Sequence, residues 1–321
     1  MKYKINLTQI IGMTLVVLLS CCWKVNAQFS FEKNEIAFLK WGNELGQIGG
    51  PLQKDPKTNC SHVGMLSLDG SGKIYIADSE NKKVLVLANS GKFLRTIDLN
   101  DPSKLIQVPN ASADESGNIL VPYNDKKAGY NGFSYMYIKP NGERKFYYEK
   151  NYTKQSYDNL QQKIIKDESL GDSFLNSLPV KNGVDFTWDS KKHKIYVGAL
   201  KINERLSKKN RHIEKDKIEL DYEKFGSDVD FYLLGIDDDG NVFILFGVKD
   251  DTFPGFPQPL INAFVAVFSS DGQLVTKIIL DEGCCENENI NWQNFCIDTH
   301  GDLFWLFYSL DGVHIYKWEK K

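Results

Sequence analysis

Leu66-Ser67-Leu68-Asp69-Gly70-Ser71-Gly72-Lys73-Ile74-Tyr75-Ile76 is the stretch from which the fold can be read. An apolar run enters an Asp, passes through a short Gly-containing turn, and leaves as a second β-rich run. That order describes a hairpin, with Gly72 supplying the positive φ of a tight turn and Asp69 able to bond the turn amides. The layout recurs four times: at Ala113-Asp114 through Ile119-Leu120-Val121, at Trp188-Asp189 through Lys194-Ile195-Tyr196-Val197, at Ile236-Asp237 through Val242-Phe243-Ile244, and at Ile297-Asp298 through Leu303-Phe304-Trp305.

A second hairpin follows in three of these units, at Asn89-Ser90-Gly91-Lys92, Pro140-Asn141-Gly142-Glu143 and Ser270-Asp271-Gly272-Gln273. Two successive hairpins make a four-stranded antiparallel meander. The five anchor aspartates are 45, 75, 48 and 61 residues apart, and a four-stranded unit recurring every ~40–50 residues is the size of a propeller blade. A sandwich would not repeat its turn chemistry so regularly, and solenoid repeats are shorter or helical. The sequence therefore predicts an all-β chain, a β-propeller of four-stranded antiparallel blades.

Val63 to Leu99, with Asp69 to Asn81 followed by Val84-Leu85-Val86-Leu87, resembles an NHL repeat. The resemblance implies a six-bladed propeller of the kind found among bacterial exported proteins; by itself it implies almost nothing about chemistry. Five hairpin signatures are visible, so a sixth blade has to lie in the 75-residue interval or in the poorly patterned stretch after Val197. Tyr157 to Leu178 reads instead as a helical insertion, with Leu160, Ile164 and Ile165 on one face. An open last blade would expose a sheet edge. Val313 to Trp318 reads as the third strand of its blade, and Glu35 to Trp41 is suited to be its fourth, which would close the ring.

The N-terminus has the layout of a secretory leader. Lys2 and Lys4 precede a short apolar core at Ile10 to Leu19, and Val25-Asn26-Ala27 offers small residues for cleavage. Residues 1–27 are then the signal peptide and 28–321 one propeller domain. Leu18-Leu19-Ser20-Cys21 competes as a lipobox, with Cys21 lipidated, although Leu19 fits poorly before the small residue. Periplasmic or extracellular export is the expectation, an outer-membrane lipoprotein the alternative. No later stretch is apolar enough to span a membrane. The leader carries three lysines, so removing it takes the formal charge from −3 to −6, against a general affinity for nucleic acid.

Candidate chemistry is sparse. Asp237-Asp238-Asp239-Gly240 invites a calcium reading, but the alternating ligands and distant Glu of an EF-hand are missing. Since the same Asp opens every hairpin, these residues, and Asp78 with them, are read as turn formers. His62, His193, His212, His300 and His314 form no metal-spaced cluster, and no nucleophile motif is present; no catalytic residue, metal site or cofactor is assigned. The mixed-charge run from Lys201 to Lys217 reads as solvated surface.

The suggestive segment is Asp250-Asp251-Thr252-Phe253-Pro254-Gly255-Phe256-Pro257-Gln258-Pro259, placed between the second and third strands of its blade. Aromatics beside prolines make a stiff apolar platform that loses little entropy on binding. Tyr123-Asn124-Asp125 and Tyr130 are placed in the equivalent loop of blade two, and Trp292 before the last inner strand. The ligand-binding candidates are thus Tyr123, Asn124, Asp125, Tyr130, Asp250, Asp251, Phe253, Phe256 and Trp292. Phe253 and Phe256 capping their own blade is the alternative. The function read from this is an exported, non-catalytic propeller that presents a loop-lined face to a protein, peptide or glycan. A propeller hydrolase or lyase with a metal in the central tunnel is the competing reading.

Cys60, Cys284, Cys285 and Cys296 remain after export, where disulfides persist. Cys60 precedes the inner strand of the first blade and Cys284-Cys285 that of the last, so both loops lie near the seam. A bridge from Cys60 to Cys284 or Cys285, with the other paired to Cys296, would reinforce closure; the four residues allow three pairings, and buried thiols are the alternative. Peptide mapping without reductant should find no freely alkylatable thiol in the exported protein, and four alkylated cysteines would contradict the bridges.

Overall fold

The computed structural model describes residues 29–49, 63–102, 104–106, 111–114, 116–125, 132–150, 154–168, 184–189, 194–199, 218–221, 225, 229–249, 260–280, 292–309 and 311–321. The chain opens with β1 (Phe31–Lys40) and then builds the first meander from β2 (Val63–Leu68), β3 (Ile74–Asp78), β4 (Lys83–Leu87) and β5 (Phe93–Asp98), hydrogen-bonded in chain order. The second sheet contains β6 (Lys104–Ile106), β7 (Ser112–Ala113), β8 (Ile119–Asp125), β9 (Gly132–Ile138) and β10 (Arg144–Lys150), with β6 and β7 pairing successive parts of β8. Helix α1 (Lys154–Asp167) follows. The third sheet is β11 (Val184–Asp189), β12 (Lys194–Ala199) and β13 (Ile218–Asp221), and the fourth is β14 (Asp230–Ile236), β15 (Val242–Lys249), β16 (Leu260–Phe268) and β17 (Leu274–Ile279). The last blade is β18 (Phe295–Ile297), β19 (Leu303–Tyr308) and β20 (Gly312–Lys320), completed by β1 in the order β1-β20-β19-β18.

The fold is thus a β-propeller with its ring closed by an N-terminal strand. Phe31 faces Lys320 and Lys40 faces Gly312, with one irregularity between Glu35 and Ala37 that leaves Ala37 opposite Ile315. First strands of successive sheets meet in the order β14, β18, β2, β7, as strands around a shared axis should. Five sheets are described, one per hairpin signature.

Alternation along the middle strands explains the packing. Ile74 and Ile76 on β3, with Leu85 and Leu87 on β4, join Leu39, Phe304, Leu306, Val313 and Ile315 of the last blade. The intervening Tyr75, Ala77, Val84 and Val86 face the other way, onto Ile119, Val121, Met136 and Ile138 of the second sheet. A strand buried on both faces has to be apolar throughout, hence the uninterrupted Leu303-Phe304-Trp305-Leu306-Phe307. The outer strands β5 and β10 are covered on one side only and mix charge with aromatics.

The anchor aspartates lock the inner turns, as the sequence implies. Asp69 Oδ1 accepts from the Ser71 amide (2.9 Å), the Ser71 hydroxyl (2.7 Å) and the Lys73 amide (3.0 Å), while Oδ2 accepts from Tyr75 (3.0 Å). Burial alone would raise the Asp69 pKa, but these four donors outweigh it and hold the carboxyl below its ordinary range. Asp114, Asp237 and Asp298 bond their own turns in the same way. Each turn also abuts its neighbour. A Cβ on Gly301, at φ +90°, would lie 2.6 Å from Asp237 Oδ2, and one on Gly117, at φ +75°, would lie 2.6 Å from the Tyr75 hydroxyl. The turn therefore needs glycine for backbone shape and for space.

The helix starts earlier than the sequence reading placed it, at Lys154, and buries Leu160 and Ile164 as read; residues 169–178 lie outside the described set. Asp237 has a second task. Lys320 at the end of β20 reaches its Oδ2 at 3.0 Å and Asp239 at 2.7 Å, stitching the last blade to the fourth sheet. Asp237→Ala takes from Lys320 one of its two carboxylate partners and leaves the Asn241 amide and side chain without their buried acceptor, and should cost about 2 kcal/mol, whereas Asp271→Ala in an exposed turn should stay within about 0.5 kcal/mol. Equilibrium denaturation of both variants checks the contrast.

Candidate functional site

Antiparallel meanders put the first-to-second and third-to-fourth turns at one end of every sheet and the remaining connections at the other. At the first end lie the compact turns, and those of neighbouring blades touch: the Asp238 amide donates to Thr299 O at 2.9 Å. The other end is where the long connections start and finish, including those between β15 and β16, β12 and β13, β17 and β18, β1 and β2, and the one carrying α1. The two faces of the ring are therefore chemically unequal, and the longer loops have the freedom to carry a site.

The sequence candidates distribute unevenly over this face. Asp250, Asp251, Phe253, Phe256 and Tyr130 lie outside the described residues, as do Cys60, Cys284, Cys285, the run from Lys201 to Lys217, and His62, His193 and His212. Tyr123, Asn124 and Asp125 are not in the connecting loop, as the sequence reading had them, but are the last residues of β8, opposite Ile106, Leu105 and Lys104. Tyr123 is 4% exposed and meets Phe146 edge-to-face at 5.5 Å. Strand β8 continues past the point where a loop was expected because β6 adds a short ladder there. Trp292 begins a 3₁₀ turn that leads into β18, and Cys296 lies on that inner strand, half-buried and packed against the seam cluster.

At the seam the described residues make a dense polar and aromatic cluster. The Trp41 indole donates to Ser309 O at 3.0 Å, and its ring lies parallel to that of Tyr308 at 6.5 Å. Tyr308 donates to Asn294 Oδ1 at 3.1 Å. Asp78 accepts from the Gly49 amide (3.0 Å), the Asn81 amide (3.0 Å) and Asn81 Nδ2 (2.9 Å), with Lys83 Nζ at 3.6 Å. Asn81 Nδ2 also reaches Gly42 O at 3.0 Å. The NHL-like phrase thus clamps the segment that arrives from β1. That is a structural role, in agreement with the reading of Asp78.

A constellation that sequence reasoning missed stands beside it. His314 on β20 approaches Glu35 Oε1 on β1 through Nδ1 at 3.1 Å, and Ser309 Oγ through Nε2 at 3.1 Å. Glu35 and His314 are 279 residues apart in sequence, so only the closing pair of strands brings them together. Among the described residues no group of three or more His, Cys, Asp or Glu is arranged to hold a metal ion, and no helix is long and apolar enough to cross a membrane.

No known family model matches the chain, and no curated protein matches it in sequence. Among solved structures it is similar to a streptogramin B lyase (10% identity, 91% of this chain and 98% of that one, TM-score 0.33). It is also similar to a member of the duf4221 family from Bacteroides vulgatus (10% identity, 84% and 82%, TM-score 0.28), and to a chain of the mitotic checkpoint complex (9% identity, 89% and 96%, TM-score 0.38). Likenesses at this level carry no argument about chemistry, and the propeller assignment stands on the sheets and their closure.

One buried ionic cluster proves structural. Glu168, just past α1, has a side chain 1% exposed; it takes Lys145 Nζ at 2.6 Å, Lys139 Nζ at 3.3 Å and the Tyr147 hydroxyl. Burial pushes its pKa up, but the bonds from Lys145, Tyr147 and Lys139 outweigh that and leave it lowered. A lowered folded pKa adds stability above the unfolded value, and this is lost as pH falls through the folded one. Glu168→Gln should therefore lower the unfolding midpoint at pH 7, and the wild-type and variant curves should converge as pH falls below the ordinary carboxylate range. Thermal unfolding across that range checks it.

Proposed function

We propose that the chain is exported and that its loop face binds a protein, peptide or glycan. The observation that carries this reading is the inequality of the two faces. Compact aspartate-anchored turns occupy one, and the long connections leave from the other. The segment Asp250 to Pro259 joins strands β15 and β16, which are held rigidly between blades: Phe243 and Phe246 on β15, and Val265 and Val267 on β16, are fully buried. A Phe- and Pro-rich sequence joined to two buried strands suits recognition, since proline restricts the chain and reduces the ordering entropy lost on binding. The leader at 1–27 supports export, and a net charge of −6 favours partners other than nucleic acid.

Arrays of glycans and of peptides provide the probe. The purified chain should bind members of one class, and a Phe253→Ala/Phe256→Ala double variant should lose about tenfold or more in affinity at an unchanged unfolding midpoint. Binding that survives both substitutions would overturn the assignment of this loop. The mass of the mature N-terminus tests the export step separately: a chain starting at Gln28 fits simple export, and a lipidated Cys21 fits anchoring.

A further inference from the structure

We propose that Ser309, His314 and Glu35 form an acyl-transfer relay at the ring seam, selective for small activated esters with an apolar or aromatic group. Three observations carry it. The spacing from Ser309 Oγ to His314 Nε2 is 3.1 Å and from His314 Nδ1 to Glu35 Oε1 is 3.1 Å, the nucleophile-base-orienter order of hydroxyl activation. The imidazole has a side-chain exposure of 21%, beside a Ser309 that is 7% exposed, so solvent reaches the relay from the imidazole side. Phe38, 37% exposed, lies 4.7 Å from the imidazole, and Phe307 and Tyr316 flank it at 5.9 and 6.0 Å, making an apolar wall for the ester.

Ser309 is held in a resting orientation. Its hydroxyl has a single proton and donates it to Asp311 Oδ1 at 2.5 Å, with Gly312 O also in reach at 3.0 Å. The Asp311 side chain is 75% exposed, and an exposed carboxylate exchanges such a bond for water at small cost. Once Asp311 turns away, the proton points to His314 Nε2. Ser309 Oγ then attacks the ester carbonyl carbon, and its proton passes to Nε2 while Glu35 holds the Nδ1–H. The bond to the leaving oxygen breaks and that oxygen takes the proton from Nε2. Water, activated by the same nitrogen, attacks the acyl-serine, releases the carboxylic acid and restores Ser309. Acid–base help of this kind is worth about 10²–10⁴-fold, which suits activated esters with a good leaving group.

The test uses the intact mature chain, a fluorophosphonate probe and p-nitrophenyl butyrate. The probe should label Ser309, identified in the modified peptide, in folded protein and not after heat denaturation. His314→Gln should slow labelling and ester hydrolysis about tenfold or more, and Asp311→Ala should speed both. Ser309→Ala should abolish labelling, and should that variant fail to fold, peptide assignment of the label in the wild-type chain decides alone. Labelling absent from folded protein, placed on another residue, or indifferent to His314→Gln would overturn the relay. The array result for the loop variant is independent of all these outcomes.

Discussion

The ladder between Phe31–Lys40 and Gly312–Lys320 is the contact on which the rest of the molecule depends. Without it the last blade has three strands and a bare edge, and the cluster uniting Leu39, Phe304 and Ile315 with Ile74 and Leu85 loses one wall. Each blade is a thin sheet that cannot bury both faces alone, so its stability comes from its neighbours. Closure turns a row of such sheets into a ring in which every described inner face is covered. The salt bridges from Lys320 to Asp237 and Asp239 then tie that blade onward to the fourth.

Turn chemistry is the second constraint, and it divides the labour between the faces. A carboxylate that accepts two or more donors from its own turn fixes the described hairpins at Asp69, Asp114, Asp237 and Asp298, and a glycine in the turn allows the next turn to approach. Burial raises the pKa of Asp114 and Asp298, while the extra Tyr75 and Ser71 bonds lower that of Asp69. Identical residue types in one repeat therefore sit in opposite protonation environments. A face built from such tight turns has little room for variation, which leaves the opposite face as the place where the chain can acquire specificity.

Much of this was legible in the sequence because the signals are local. Asp69, Asp114, Asp237 and Asp298 bond residues two to four positions on, so their role could be read without the fold. The pairing of Glu35 to Trp41 with Val313 to Trp318 follows from the need to cover an edge, and β1 and β20 do pair antiparallel, over Phe31–Lys40 and Gly312–Lys320. What could not be read is non-local. Tyr123 ends a strand because β6, upstream of the hairpin, adds a ladder to it, and nothing in Tyr123-Asn124-Asp125 announces that partner. His314 reads as an isolated histidine until the ring closes and sets Glu35 beside it.

The central claim is that the first and last strands fold as one unit with the ring. Amide hydrogen exchange followed by mass spectrometry reads this directly. The account predicts that peptides covering Phe31–Lys40 and Gly312–Lys320 exchange together, at the slow rate set by global opening. Rapid exchange across Phe31–Lys40 beside a protected Leu303–Tyr308 would contradict it.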